Sequence, residues 1–173
     1  MRELQPVARD PQPLTDLATA GKRRDFNREV ENLYRSDSPR LWRSLFAYTH
    51  SRVVADDAVA EAFAQLLRRG DEVRDPKAWI WRAAFRIAAG EVTYRSKNVN
   101  ELRVDVGYLP EEQGINLLTE LDSLSGNQRA SLVLHDYAGY TAREVAEIIG
   151  STEAAVRVHV MRARRRLKRL MTR

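Results

Sequence analysis

The chain has no cysteine among its 173 residues, so disulfides and thiolate metal sites are excluded and a reducing cytoplasm is its expected home. Its only histidines, His50, His135 and His159, are too scattered to form a metal-ligand cluster with suitable carboxylates. No stretch approaches the roughly 20 consecutive apolar residues that span a bilayer. The polar N-terminus, with Pro6, Pro11 and Pro13, lacks the apolar core of a signal peptide. No membrane insertion is therefore expected. Glycine-rich phosphate loops, nucleophile elbows and paired catalytic carboxylates are missing too. The sequence thus predicts no catalytic residue, no metal and no cofactor, and a protein that binds rather than an enzyme.

What the chain does have is arginine. The net charge is +5 and the pI near 9.8, and every basic residue except Lys22, Lys77, Lys97 and Lys168 is arginine. Such a balance favours an anionic partner: nucleic acid, a membrane surface or an acidic protein. The charge is also unevenly placed. Residues 1–98 carry 18 basic and 14 acidic side chains, residues 99–124 one against six, and residues 125–173 ten against four. A basic, acidic, basic order suggests two lobes around a linker, and the length allows two small cores.

Apolar spacing is helical throughout, and no segment shows the alternation of a strand. Residues 1–21 are proline-punctuated and read as a flexible arm. Phe26, Val30 and Leu33 share a face, and Pro39 suits the first turn of a second helix carrying Leu41, Leu45 and Phe46. Asp56 and Asp57 suit the N-terminal end of a third helix, which Gly70 should close. Pro76 opens a longer helix with Trp79, Ile80, Ala83, Ile87 and Ala88 on its apolar side. Asn98, Asn100, Gly107 and Pro110 then break the pattern. Beyond them, Ser125 with Gln128 and Thr141 with Glu144 have capping-box spacing, and Gly139 and Gly150 stand where helices should stop. The expected fold is all-α: a first helical domain over 22–96, a flexible linker over 97–116, and a second domain over 117–173 with a helix-turn-helix.

That second domain carries the sharpest functional signal. A helix over 141–149, a turn at Gly150 and Ser151, and a second helix from Thr152 have the spacing of a helix-turn-helix, whose second helix enters the major groove. At 100° per residue, Val156, Val160, Ala163, Leu167 and Leu170 form one stripe facing the core. Arg157, Val158, Met161, Arg162, Arg165 and Arg169 stand opposite, with no acidic residue after Glu153. The same pattern fits a solvated or partner-binding amphipathic helix. The capped neighbouring helix and the turn favour DNA. Arginines near the helix start can reach guanine edges, and those further along hold phosphates.

The stretch "LDSLSGNQRASLVLHDYAGYTAREVAEIIGSTEAAVRVHVMRARRRLKRL" resembles region four of ECF-type (extracytoplasmic function) bacterial sigma factors. "LYRSDSPRLWRSLFAYTHSR", "ADDAVAEAFAQLL" and "VRDPKAWIWRAAFRIAAG" resemble region two of the same family. Together they cover about residues 26–171. The resemblance implies a subunit of the RNA polymerase holoenzyme that directs promoter recognition and transcription initiation. The second lobe would read the minus-35 element through Arg157, Val158, Met161, Arg162 and Arg165, with Thr141 and Arg143 near the DNA backbone. The first lobe would dock on the clamp of the largest polymerase subunit through Asp56, Asp57 and Glu61. It would hold the minus-10 element and the melted strand through Arg68, Arg69, Arg74, Lys77, Trp81, Arg82 and Arg86. Single-strand binding pairs aromatics with cations in this way, although Trp79 and Trp81 also suit a core. Implied partners are core polymerase, including the flap of its second subunit, promoter DNA and, as in many relatives, an anti-sigma factor. The acidic linker is a solvated spacer or a nucleic-acid mimic threading the polymerase channel.

Two departures from the family pattern bear on the first lobe. Phe85-Arg86 and Gly90 stand where "A-x-N" and a later aspartate are usual, and "DAVAE" replaces "DLVQE". They leave open a sigma-like adaptor without normal promoter melting. A stand-alone helix-turn-helix regulator is the other alternative.

Overall fold

A computed structural model describes residues 12–97 and 118–171, and every regular element in them is helical. The first lobe consists of α1 (Gln12–Thr49), α2 (Arg52–Arg69), a 3-10 turn (Gly70–Glu72) and α3 (Pro76–Lys97). In the second, residues 118–122 form α4, followed by α5 (Gly126–Leu132), a π-helical turn (Val133–Tyr137), α6 (Ala142–Ile149) and α7 (Glu153–Met171).

Three sequence-based expectations change in the first lobe. The arm expected over 1–21 is helical from Gln12, as the start of α1; residues 1–11 lie outside the described region. Pro39 does not start a helix but sits inside α1. An interior proline removes one backbone hydrogen bond and can cost about 3 kcal/mol. Here the apolar face crosses it without a break, since Phe26, Val30, Leu41, Leu45 and Tyr48 are all buried. Burial over that length outweighs the single lost bond, because each large side chain contributes about 1.5–3 kcal/mol. Third, α2 begins at Arg52 rather than at Asp56, because Ser51 caps it: its hydroxyl accepts from the Val54 N–H at 3.4 Å. Asp56 and Asp57 thus lie a turn inside the helix, beyond the strongest pull of its dipole.

Other boundaries fall where local chemistry puts them. Gly70 (φ 67°) ends α2, its N–H donating to the Leu66 carbonyl. Asp75 Oδ1 accepts from the Ala78 N–H at 2.9 Å and starts α3 at Pro76. Both capping boxes form, Ser125 with Gln128 and Thr141 with Glu144. The linker expected over 97–116 falls on residues outside the described region, except that Lys97 ends α3.

Gly150 occupies the left-handed region (φ 68°, ψ 43°) and returns its N–H to the Ala146 carbonyl, which closes α6 and aims the chain at α7. A Cβ there would meet nothing within 4 Å. Gly150→Ala is therefore expected to cost only the backbone strain, about 1–2 kcal/mol, and Gly150→Asn less. Urea melts of the two variants measure the difference, and equal losses would show that the space around the turn, not its φ, sets the cost.

The lobes are not separate bodies. The apolar core runs from Leu41, Leu45, Leu66, Ile80 and Trp81 into Leu134, Val145, Ile148 and Val156 as one cluster. It is bridged where Tyr140 packs edge-on against Trp81, with ring centroids 4.9 Å apart.

Candidate nucleic-acid interface

The helix-turn-helix is built as its spacing predicts. Thr141 Oγ1 accepts from the Glu144 N–H, and the Glu144 carboxylate in turn accepts from the Thr141 N–H (2.8 Å) and hydroxyl (2.7 Å). These bonds hold the Glu144 carboxyl below its ordinary pKa. After the Gly150 turn, Thr152 caps α7 through the Ala155 N–H at 3.2 Å. Val156, Val160 and Ala163 are buried and Leu167 is partly buried, which seats the helix on the second lobe's core. The Leu170 side chain, expected on the same stripe, lies outside the described residues.

On the outer face Arg157, Val158, Met161, Arg162, Arg165 and Arg169 are all exposed. Val158 and Met161 are 39% and 58% exposed, a large apolar surface for a soluble face and one suited to thymine methyls. Arg157 pairs with Glu153 one turn earlier, and Arg143 with Glu147 at 3.6 Å. Exposed pairs of this kind contribute about 0.2–1 kcal/mol, so either arginine can exchange its partner for a base or phosphate. Arg162 and Arg165 form no ion pair among the described residues.

One arginine of α7 that the helical projection placed on neither face has an internal task. Arg164 grips Asp136 of the π-helical turn with two bonds, Nε at 2.9 Å and Nη2 at 2.6 Å. That fork holds the Asp136 carboxyl below its ordinary pKa. It also fixes the rotation of α7 against the lobe. Arg166 similarly donates to the Ser123 hydroxyl at 3.1 Å. Arg164 and Arg157, with His135, Val160 and Met161, line a groove of about 310 Å³ beside the outer face.

The first lobe departs further from expectation. Trp81, assigned above to the minus-10 element, is wholly buried. It stacks on Phe85 (6.2 Å), lies under the Arg40 guanidinium (6.0 Å) and meets Tyr140. It is a core residue in this arrangement and offers no free face to a base. Trp79 is half-buried, with the Arg69 guanidinium 5.8 Å from its ring centre. Lys77 is held by Asp37 at 2.9 Å, and Arg68 by Glu61 at 2.8 Å. Hydrogen bonds from Gln65 and Arg68 lower the Glu61 carboxyl pKa. Arg74 and Arg86 are exposed and Arg82 is half-buried. Of the three acidic residues expected at a clamp contact, Asp56 accepts from the Trp42 indole at 2.6 Å, Glu61 holds Arg68, and Asp57 is exposed.

Sequence spacing also missed a polar cluster between the lobes. His50, which ends α1 with φ 53°, is buried and brings Nδ1 to 2.6 Å from Asp122 Oδ1. Arg129 reaches the same oxygen at 2.7 Å, with its guanidinium 5.9 Å from the Tyr48 ring centre. Burial, and secondly the Arg129 charge, push the His50 pKa down despite Asp122. The folded protein therefore holds a neutral His50, whereas the unfolded chain takes up a proton near pH 6.5. Stability is complete above that pH and falls as the pH drops through it. Thermal melts from pH 7.5 to 5.5 should show this loss, and His50→Gln should flatten the profile; an unchanged slope would assign the acid sensitivity to other groups.

Among the described residues no three histidine or acidic side chains gather to hold a metal, and no helix is long and apolar enough to cross a membrane.

The described residues thus form an all-helical pair of lobes, the second ending in a helix-turn-helix with a basic, partly apolar outer face. Residues 115–167 match the family described as Sigma-70, region 4. The chain is 29% identical over 140 residues to the ECF RNA polymerase sigma factor SigJ of Mycobacterium tuberculosis, a match covering 69% of this chain and 44% of that protein. The chain thus spans less than half the length of that curated relative. Two solved structures share the fold across both lobes. CnrH in complex with the cytosolic domain of CnrY has a TM-score of 0.68 at 20% identity, covering 88% of this chain and 94% of that one. RpoE in complex with the anti-sigma factor NepR from Bartonella quintana has a TM-score of 0.68 at 19% identity, covering 86% and 97%. The chain is thus similar to ECF-type sigma factors, and its second lobe matches the Sigma-70 region 4 model.

Proposed function

We propose that this chain is a promoter-specificity subunit: it binds core RNA polymerase and directs it to two-element promoters. The observation that carries this reading is the outer face of α7. Arg157, Val158, Met161 and Arg162 are exposed on one side of a helix whose other side is locked into the lobe by Val156, Val160 and Arg164. A rigid helix with short-range basic and apolar groups is what base-edge reading requires, and Arg165 and Arg169 lie further along for phosphates. Thr141 and Arg143 flank the same face from α6.

In the first lobe, the exposure of Arg74 and Arg86, the half-exposed Arg82 and the Arg69–Trp79 pair support a role for these groups at the minus-10 strand. Arg68 and Lys77 can join after releasing Glu61 and Asp37. Asp56, Asp57 and Glu61 on α2 suit the polymerase clamp, and the second lobe suits the flap. An anti-sigma factor is proposed as a further partner, because the two solved structures named above are complexes with a second protein. The reading assigns no chemistry to the chain itself.

The experiment is run-off transcription on a genomic fragment library, with purified chain added to core polymerase. Transcripts starting downstream of a shared pair of separated elements are expected. Binding to core without transcripts would leave the adaptor reading in its place. DNA binding without any affinity for core would favour a stand-alone regulator.

A further inference from the structure

The outer face of α7 sorts more finely than into basic and buried. Round the helix at 100° per residue, its midline lies opposite Val156, Val160, Ala163 and Leu167, which face the core. Along the first half of the helix that midline is apolar. Ala154 and Val158 lie within about 30° of it and Met161 within about 50°, and all three are exposed. Arg157 stands about 90° to one side and Arg162 about 50° to the other, so hydrogen-bonding groups border the apolar stripe without interrupting it. Every other exposed side chain among those described on α7 is charged. From Ala154 to Met161 the helix rises about 10 Å, close to three base-pair steps of B-form DNA.

What α7 lacks narrows what it can read. From Glu153 to Met171 it holds no asparagine, glutamine, serine or threonine. Adenine, which is read by the fork of a side-chain amide, therefore has no such reader on this helix. Glu153, the one carboxylate that could accept from cytosine, holds Arg157 instead. His159 is half-buried and stands about 110° from the midline. Two direct readings of the major groove are left: arginine on guanine, and an apolar side chain on the C5-methyl of thymine. The second works only at contact distance, because dispersion fades within about an ångström of added separation. Arg164 on Asp136 supplies the fixed helix position that such a contact needs.

We propose that Ala154, Val158 and Met161 form a methyl-reading stripe, so that the upstream element this chain selects presents thymine C5-methyl groups beside guanines taken by Arg157 and Arg162. The proposal rests on the promoter-subunit reading above and names the chemical groups that the second lobe reads. The flanking cations draw the stripe towards an anionic partner, which favours DNA over an apolar protein surface as its occupant. Val158 supplies a stiff, β-branched wall, and Met161 a flexible, polarisable tip that can close on a methyl group. Ala154, the smallest of the three, lets the base edge come near the start of the helix, where a recognition helix makes its base contacts.

The test alters the DNA and leaves the protein as it is. Core polymerase carrying the full-length chain is bound to a fragment with the upstream element shared by its selected promoters. Each thymine of that element, on either strand, is replaced in turn by deoxyuridine, which removes the methyl and keeps every hydrogen-bonding group. At one to three positions affinity should fall about fourfold, the hydrophobic gain of one buried methyl. Deoxyuridine outside the element should have no effect. At the sensitive positions the ratio of thymine to deoxyuridine affinity should drop towards one in Val158→Ala or Met161→Ala, both changes of exposed side chains. Cytosines replaced by 5-methylcytosine separate the two sources of the group: a gain there with no loss at any thymine would overturn thymine as the ligand. An upstream element without thymine, affinity indifferent to every methyl, or a ratio unchanged in both variants would overturn the stripe. Selected fragments with no shared upstream element, or no binding to core at all, would instead sink the promoter-subunit reading, and the stripe with it.

Discussion

Truncation of Trp81 to alanine is expected to cost about 3–5 kcal/mol of stability, a large part of what holds a domain of this size together. The indole is wholly buried, stacks on Phe85 of its own helix, and joins α3 to α1 through Arg40 and to the turn ahead of α6 through Tyr140. Removing it leaves a cavity between α1, α3 and the turn ahead of α6. Trp81→Phe separates volume from polarity. It loses part of the ring but also removes an indole N–H that is buried without a partner, a burden of about 1–3 kcal/mol. The phenylalanine variant should therefore lose much less than the alanine one. Urea unfolding of the three proteins decides it: a Trp81→Ala midpoint equal to the parent's would mean the indole is not packed as described.

The largest effect on DNA recognition is expected at Arg162. Its side chain is exposed on α7, on the face shared with Arg157, Val158 and Met161, and has no ion pair among the described residues to give up on binding. If it forks onto a guanine, Arg162→Ala weakens binding by about 1–3 kcal/mol, or roughly 5- to 150-fold, and relaxes preference at one minus-35 position. Arg169→Ala, two turns further along, should weaken all sequences alike and lower the salt dependence, as a phosphate contact does. Holoenzyme binding to a library randomised across the upstream element distinguishes the two patterns. A uniform loss for Arg162→Ala would move it to the phosphate group as well.

How far the residues spoke for themselves depended on how near their partners lay along the chain. The capping boxes at Ser125 and Thr141, the stops at Gly70 and Gly150, and the division of α7 into a buried stripe and a basic face each arise within four residues or one helical period. They were legible for that reason. The region-four motif was legible because it is a dense run of such local features. Pro39 misled, because its local preference for a helix start is weaker than an apolar stripe running from Phe26 to Tyr48. Asp56 and Asp57 misled because Ser51, a better cap, stood just ahead of them.

The remaining decisions were tertiary. His50 finds Asp122 across 72 residues, and Arg164 finds Asp136 across 28. No periodicity marks such pairs, since they depend on which helix faces meet after folding. Trp81 carries the same indole in a core as it would at a DNA strand; what encloses it is packing against Phe85, Arg40 and, from the other lobe, Tyr140. Amphipathic spacing thus determined, from sequence alone, the helices, their caps and the face that α7 turns outward. Only tertiary packing decided that Trp81 is buried and that Lys77 and Arg164 have partners, because such contacts depend on which helix faces meet after folding.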